Sequence, residues 1–368
     1  MKGGKKEFRH PLFGTSISNW FRLLIDHGGV DRGFFLRAVF ITFITIIMLP
    51  FRFISKLIYD KKIAKTPISY PPIFIIGHWR SGTTYLHELM SQDPGLAHVS
   101  VWHTLFPYNF LLFESIKADL AKLLPATRPM DMMKIDVDGP YEDDAGLAVL
   151  GRLSFFHCIH FPRDAERQFL QSILFEGLDE KEIKIFKKNY LYLLKAVTFA
   201  NNGKRLVLKN PANTARIKQL LEMFPDARFI HICRNPYLVY YSTKKMRTRV
   251  LDIFALQKTT AEDIEGHVIN DYVRLMKRYF EDKDKIPKGQ LVEVRYEDLI
   301  ADPISQMQQI YSKLRLEGFE DSKKFMEQYL GRQREYKKNV HVIDKEKIQV
   351  IEKEWEFAIR RWGHKPPQ

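Results

Sequence analysis

The sequence predicts an α/β fold, with a mostly parallel sheet flanked by helices and an apolar helical segment ahead of it. Three observations point there. Short continuous apolar runs read as strands buried on both faces, longer stretches between them read as helices, and the first run feeds a glycine-spaced loop that opens a helix. With 368 residues the chain can bury a large core, and 45% hydrophobic with 28% charged residues is a globular composition.

Along the chain, the opening MKGGKKEFRHP is basic, and the first sustained apolar run comes too late for a secretory signal peptide, with no small-residue cleavage site after it. That run, FFLRAVFITFITIIMLPFRF, has an uncharged core from Ala38 to Phe51. At 1.5 Å per residue it falls short of the roughly 20 residues of a spanning helix. An interfacial, membrane-associated helix is expected, and burial against the domain is the alternative; Arg52, Lys56, Lys61, Lys62 and Lys65 follow the apolar face as they would on an anionic membrane surface. Pro67, Pro71 and Pro72 in KTPISYPP favour an extended connection, so the chain is expected to divide into a basic N-terminal region over 1–66 and one catalytic domain over 67–368.

Strands are expected at IFIIG (73–77), LVLK (206–209), RFIHIC (228–233) and LVEVRY (291–296), and helices at 83–91, 180–200, 214–224 and 261–282. There is no internal repeat. The formal charge of +14 implies an anionic partner, which nucleic acid, a membrane face or a polyanionic cofactor would each satisfy. Nucleic acid is not expected, because the charge is spread along the chain and no nucleic-acid motif is present. Cys158 and Cys233 sit in apolar runs and read as buried thiols, and no cluster has zinc-ligand spacing, so no metal site is expected. No Asn-x-Ser/Thr sequon occurs, which disfavours a lumenal setting.

The loop GHWRSGTT, Gly77 to Thr84, has the glycine spacing of a phosphate-binding loop, but Thr83 stands where the nucleotide-triphosphate version has lysine. A strand, a glycine turn and a helix start still gather N–H donors and the positive helix end at one point. Arg80 supplies a cation, and Ser81, Gly82, Thr83 and Thr84 supply backbone and hydroxyl donors. In RFIHICRNPYLVYYSTKK the pattern returns: a strand, Arg234, a helix start at Asn235-Pro236, and Ser242 two turns along. Ligands of parallel sheets collect at the carboxyl edge, so the two elements suggest one ligand with two anionic ends.

These paired motifs resemble the sulfotransferases that use PAPS, 3′-phosphoadenosine-5′-phosphosulfate. The resemblance covers most of the chain from Pro72 to about Pro303 and includes VRYEDL (Val294 to Leu299) and LKNPANTARI (Leu208 to Ile217), as in bacterial and tyrosylprotein-type members. It implies a single sulfotransferase domain with a P-loop-type sheet. It further implies that Arg80, Ser81, Gly82, Thr83 and Thr84 hold the 5′-phosphosulfate, and that Arg234 and Ser242 hold the 3′-phosphate. Lys337 and Lys338 in REYKKNVHVID resemble a basic loop closing over that phosphate. Arg80 and Lys209, from a K-x-P element, are the expected donors to the bridging oxygen, with no metal required.

For the general base, the resemblance and the chemistry leave two options. Glu142, or Asp143 after it, follows a G-P-x segment and adjoins other carboxylates that would raise its pKa; His103, downstream of the loop, is the rival. Trp79 or Tyr296 would stack on the adenine, unless they belong to the core. The acceptor is expected to be an alcohol. VSVWHTLFPYNFLLF and LGRLSFFHCIHF are rich in apolar side chains, which suits a sterol, steroid or lipid; a glycan or lipid-linked saccharide is the alternative, and core packing explains the same residues. A divergent P-loop kinase is a remote alternative that lacks its lysine. The expected setting is the cytoplasm of a bacterium, at the membrane's cytoplasmic face, where PAPS is made.

Overall fold

Five strands, β1 (Ile73–Ile76), β2 (Leu96–His98), β3 (Arg205–Lys209), β4 (Arg228–Cys233) and β5 (Leu291–Arg295), form one parallel sheet in the order β2–β3–β1–β4–β5. The computed structural model describes residues 10–122, 127, 136–332 and 344–367. Four strands are the apolar runs read from the sequence. The fifth, β2, is the tripeptide Leu-Ala-His, with one fully buried position and thus no apolar run to betray it.

Side chains alternate across the sheet. Phe74, Ile76, Leu206, Leu208 and Phe229 pack into one core layer, while Ile73, Ile75, Val207, Ile230 and Ile232 pack into another. Burial on both faces is why these strands read as continuous apolar runs. The strand order reverses beside β1, which pairs with β3 on one side and β4 on the other, so the crevice at its carboxyl end is where a ligand is received.

The helix expected from residue 214 starts at Ile217, because Pro211–Ala215 forms a 3₁₀ turn capped by Asn210, whose Oδ1 accepts the Ala212 N–H at 3.0 Å. Cys158 and Cys233 are buried and unbridged.

Ahead of the sheet lie α1 (Ile17–Asp26) and α2 (Phe35–Lys65), the latter continuous through Pro50. The helix is thus longer than its uncharged core, and with its flanking turn it is long and apolar enough to cross a membrane by length and composition. It is nevertheless attached to the domain. Leu12, Trp20, Leu23 and Ile41 share a core with Ala148, Phe161 and Leu256, and Ile63 joins the main core. Polar contacts fasten both ends: Arg37 Nη1 donates to the Ala255 carbonyl and Lys195 Nζ to that of Ala64, each at 2.8 Å.

Candidate active site

The loop after β1 holds three residues with positive φ: Gly77 (142°), Arg80 (68°) and Gly82 (103°). Glycine is required twice. A Cβ on Gly77 would lie 2.3 Å from the Ile232 carbonyl oxygen, and one on Gly82 would lie 2.2 Å from the Tyr296 ring. Gly77 is fixed from below by Thr214, whose hydroxyl accepts the Gly77 N–H at 2.7 Å and donates to its carbonyl at 3.1 Å. Gly82 caps α3 (Thr83–Met90) without a side-chain acceptor, which leaves the first-turn N–H groups pointing out of the helix. Ser81 is buried, and its hydroxyl has no hydrogen-bond partner among the described residues.

The second element arrives at the same place. Asn235 caps the helix Pro236–Phe254, with Oδ1 accepting the Tyr237 N–H at 3.1 Å, and Ser242 lies buried on it. Arg80 Nε donates to Ser242 Oγ at 2.9 Å, Arg234 Nη1 donates to the Arg80 carbonyl at 3.2 Å, and the Arg234 guanidinium lies 4.6 Å from the Tyr296 ring centroid. Two segments more than 150 positions apart therefore present donors and two guanidiniums at one edge of the sheet. Such an arrangement favours an anion with more than one charged group.

A third group flanks this edge. Lys209 ends β3, and its Nζ donates to Glu142 Oε1 at 2.8 Å; the side chains are 5% and 20% exposed. Backbone pairing between the same two residues aligns them. A mostly desolvated ammonium and carboxylate beside an anion site can stabilise departing negative charge and receive a proton.

Residues 71–321 match the model of the Sulfotransferase family. The chain belongs to the sulfotransferase family. It is 34% identical over 361 residues to the omega-hydroxy-beta-dihydromenaquinone-9 sulfotransferase Stf3 of Mycobacterium bovis, which spans 98% of this chain and 92% of that protein, and matches Stf3 of Mycobacterium tuberculosis to the same extent. Among solved structures, sulfotransferase STF9 from Mycobacterium avium has a TM-score of 0.66 at 16% identity, covering 96% of this chain and 97% of that one. Sulfotransferase STF1 from Mycobacterium tuberculosis has a TM-score of 0.61 at 18% identity, covering 89% and 88%. The fold is shared with both.

Elsewhere in this sulfotransferase the expected residues part company. Asp143, adjoining Glu142, is fully buried and receives the Tyr190 hydroxyl, which in turn accepts from Asn213 Nδ2 at 3.0 Å. It faces the interior, where Tyr190 and Asn213 tie it to the turn Pro211–Ala215. Burial raises its carboxyl from 3.8 to about 7, against the opposing pull of the Tyr190 hydrogen bond. The folded chain thus holds a proton that the unfolded chain releases, so stability falls as pH rises from about 4 to about 7 and stays lowered above it. Asp143→Asn is expected to flatten that slope, as read from urea midpoints below and above this window.

His103 is occupied too. In the helix α4 (Val101–Leu105), its Nδ1 accepts the Ser100 N–H at 3.0 Å, completing a capping box, and its ring meets Phe110 edge-on at 4.6 Å. Burial lowers its pKa to about 3. Trp79 stacks on Phe155 at 4.1 Å in the core, while Tyr296 lies against Gly82 and Arg234. Trp102, Phe106, Phe110 and Phe113 are core residues, as are Phe155 and Cys158. Lys337 and Lys338 lie outside the described residues.

Sequence reasoning missed the layer beneath the site. Asp144 accepts from Arg216 Nη1 and Ser154 Oγ at 2.7 Å, from the Phe155 N–H at 2.7 Å and from Asn210 Nδ2 at 3.2 Å. Arg216 also donates from Nη2 to the Ser172 carbonyl at 2.6 Å. This buried network joins the segments carrying Glu142 and Lys209. The one signal for it in the sequence was three adjoining carboxylates, EDD, in an otherwise apolar setting.

Proposed function

We propose that this sulfotransferase transfers the sulfuryl group of PAPS to the hydroxyl of a hydrophobic, lipid-class alcohol, without a metal, at the cytoplasmic face of a bacterial membrane that it contacts peripherally. The observation that carries the reading is the meeting of Arg80, Ser242 and Arg234, which merges two anion-binding elements into one site. The unpartnered, buried Ser81 hydroxyl and the open first turn of α3 suit a nucleotide with anionic groups at both ends.

When bound, PAPS supplies an activated sulfuryl group joined to a phosphate leaving group. In this reading Ser81, Gly82, Thr83 and Thr84 hold its 5′ end, Arg234 and Ser242 hold the 3′-phosphate, and Arg80 bridges the two by its bond to Ser242. A sulfuryl group carries less charge than a terminal phosphoryl, so fixed cations and N–H donors suffice where phosphoryl transfer recruits magnesium. Lys209 and Arg80 meet negative charge on the departing oxygen, and Glu142 accepts the acceptor's proton. Glu142 is favoured over Asp143 because Asp143 is sealed in the interior, and over His103 because that ring's Nδ1 is engaged and its basicity low. A lipid-class acceptor is favoured over a saccharide by the likeness to Stf3 across nearly the whole chain, that relative being an omega-hydroxy-beta-dihydromenaquinone-9 sulfotransferase.

The test is calorimetric titration with 3′,5′-adenosine bisphosphate, with Mg-ATP and AMP as controls, followed by incubation of sulfur-labelled PAPS with membrane lipid extract. Binding that needs the 3′-phosphate, and label in the lipid phase, are expected. Arg234→Ala should weaken the bisphosphate by about 10- to 100-fold, the loss of one charge-assisted contact. Tight Mg-ATP binding without bisphosphate binding overturns the donor assignment, and label in water-soluble saccharide overturns the acceptor.

A further inference from the structure

Twelve of the eighteen exposed large apolar side chains among the described residues lie on α2. Phe35, Phe43, Ile46, Phe53 and Leu57 are between 51% and 66% exposed, on a helix that should extend about 46 Å from its 31 residues. Phe21 and Ile25 of the neighbouring α1, 50% and 79% exposed, add to them. The two helices are tied by Trp20 Nε1 donating to Thr42 Oγ1 at 2.8 Å. A continuous apolar surface on this scale marks an interaction site.

The other side of α2 is occupied from end to end. Ile41, Thr45, Ser55 and Ile63 recur at multiples of three to four residues and are buried against the domain. Ser55 Oγ donates to the Tyr108 carbonyl at 2.5 Å, and the Arg52 guanidinium lies 3.4 Å from the Tyr108 ring centroid. With Arg37 and Ala64 fastened to the domain, a spanning orientation would strip these contacts along the whole helix and leave their polar groups in hydrocarbon. Lying in the membrane plane keeps every one of them.

We infer that α2, with the exposed edge of α1, is a monotopic anchor that lies flat in one leaflet of an anionic bilayer while docked on the catalytic domain. Charge selects this occupant. Lys56, Lys61, Lys62 and Lys65 are exposed around the end of the apolar face, with Asp60 the lone acid on the helix. That rim matches anionic headgroups, whereas a second copy of the chain would set like charge against like. Tyr108 links the anchor to the site, since its hydroxyl donates to the carbonyl of Leu150, the last residue of the helix that Glu142 caps. The inference deepens the lipid-acceptor reading and rests on it for what the anchor is for, but not for whether it binds.

The experiment is flotation of the full chain with vesicles of phosphatidylcholine alone and of a phosphatidylcholine–phosphatidylglycerol mixture. Alongside it, an environment-sensitive dye is placed on single cysteines at Phe43, Phe53 and Leu57, both native cysteines being buried. Binding to the anionic vesicles, release by alkaline carbonate and quenching of all three dyes at one shallow depth are expected. Phe43→Glu with Phe53→Glu should weaken vesicle binding by about a hundredfold or more, while titration with 3′,5′-adenosine bisphosphate stays at the unsubstituted value and shows an intact fold. Retention in carbonate with dyes at graded depths means a spanning helix and overturns the proposal. Failure to float, with a dimer in light scattering that the double substitution dissociates, means that a second copy covers the face. Vesicle binding by a chain that ignores the bisphosphate would sink the donor reading and leave the anchor standing.

Discussion

Glu142→Gln is expected to lower kcat by about 10²- to 10⁴-fold and leave the affinity for 3′,5′-adenosine bisphosphate unchanged. The amide is isosteric and its oxygen still accepts from Lys209 Nζ, so the 2.8 Å contact and the backbone pairing of the two residues survive while the proton acceptor is lost. Loss of turnover without loss of nucleotide affinity is the signature of a group that acts on the reacting atoms. Single-turnover assays with sulfur-labelled PAPS beside calorimetry separate the two quantities. Full activity in E142Q together with a dead H103A would return the role to the histidine and require its bond to the Ser100 N–H to break in the working enzyme.

Arg216→Met is expected to destabilise the fold by about 3–5 kcal/mol, because it leaves the Asp144 carboxylate buried without its countercharge. Arg216 is 0% exposed and Asp144 1%, so water cannot screen the orphaned charge. Pairing the change with Asp144→Leu should recover much of the loss, since replacing a whole buried ion pair by apolar groups is often near neutral. Chemical denaturation of the single and double variants checks this. A double variant no more stable than R216M would show that Asp144 is held for its bonds to Ser154, Phe155 and Asn210 more than for its charge balance.

How legible the molecule was depends on whether a feature is local. The loop from Gly77 to Thr84 and the Arg234–Ser242 element each carry their own strand, turn and helix start, so their local form could be read before their meeting was known. What stayed hidden is non-local. The pairing of Glu142 with Lys209 joins residues 67 positions apart, and Arg216 reaches Asp144 over 72. No periodicity encodes such contacts. The sequence put Glu142 ahead of Asp143 but could not say where either side chain goes; the extended backbone at Glu142, bridged to Lys209, turns that carboxylate to the ammonium, whereas Asp143, the first residue of the helix, faces inward to Tyr190. For Trp102 and Phe155 the sequence left pocket lining and core packing open, and both side chains are buried in the core.

The sheet order sets a timetable for the growing chain. The central strand is made early, yet Ile73 pairs with Arg228, about 155 positions later. At roughly 5–20 residues per second, on the order of ten seconds of synthesis separate the loop's emergence from the arrival of the strand that completes its cradle. Throughout that interval α2 is already outside the ribosome, apolar and without the domain it will dock on. Its apolar face is therefore available to a lipid surface before the chain possesses an active site. With α2 as the anchor inferred above, attachment would precede activity in the life of each molecule, and the place where the enzyme works would be settled before the enzyme exists.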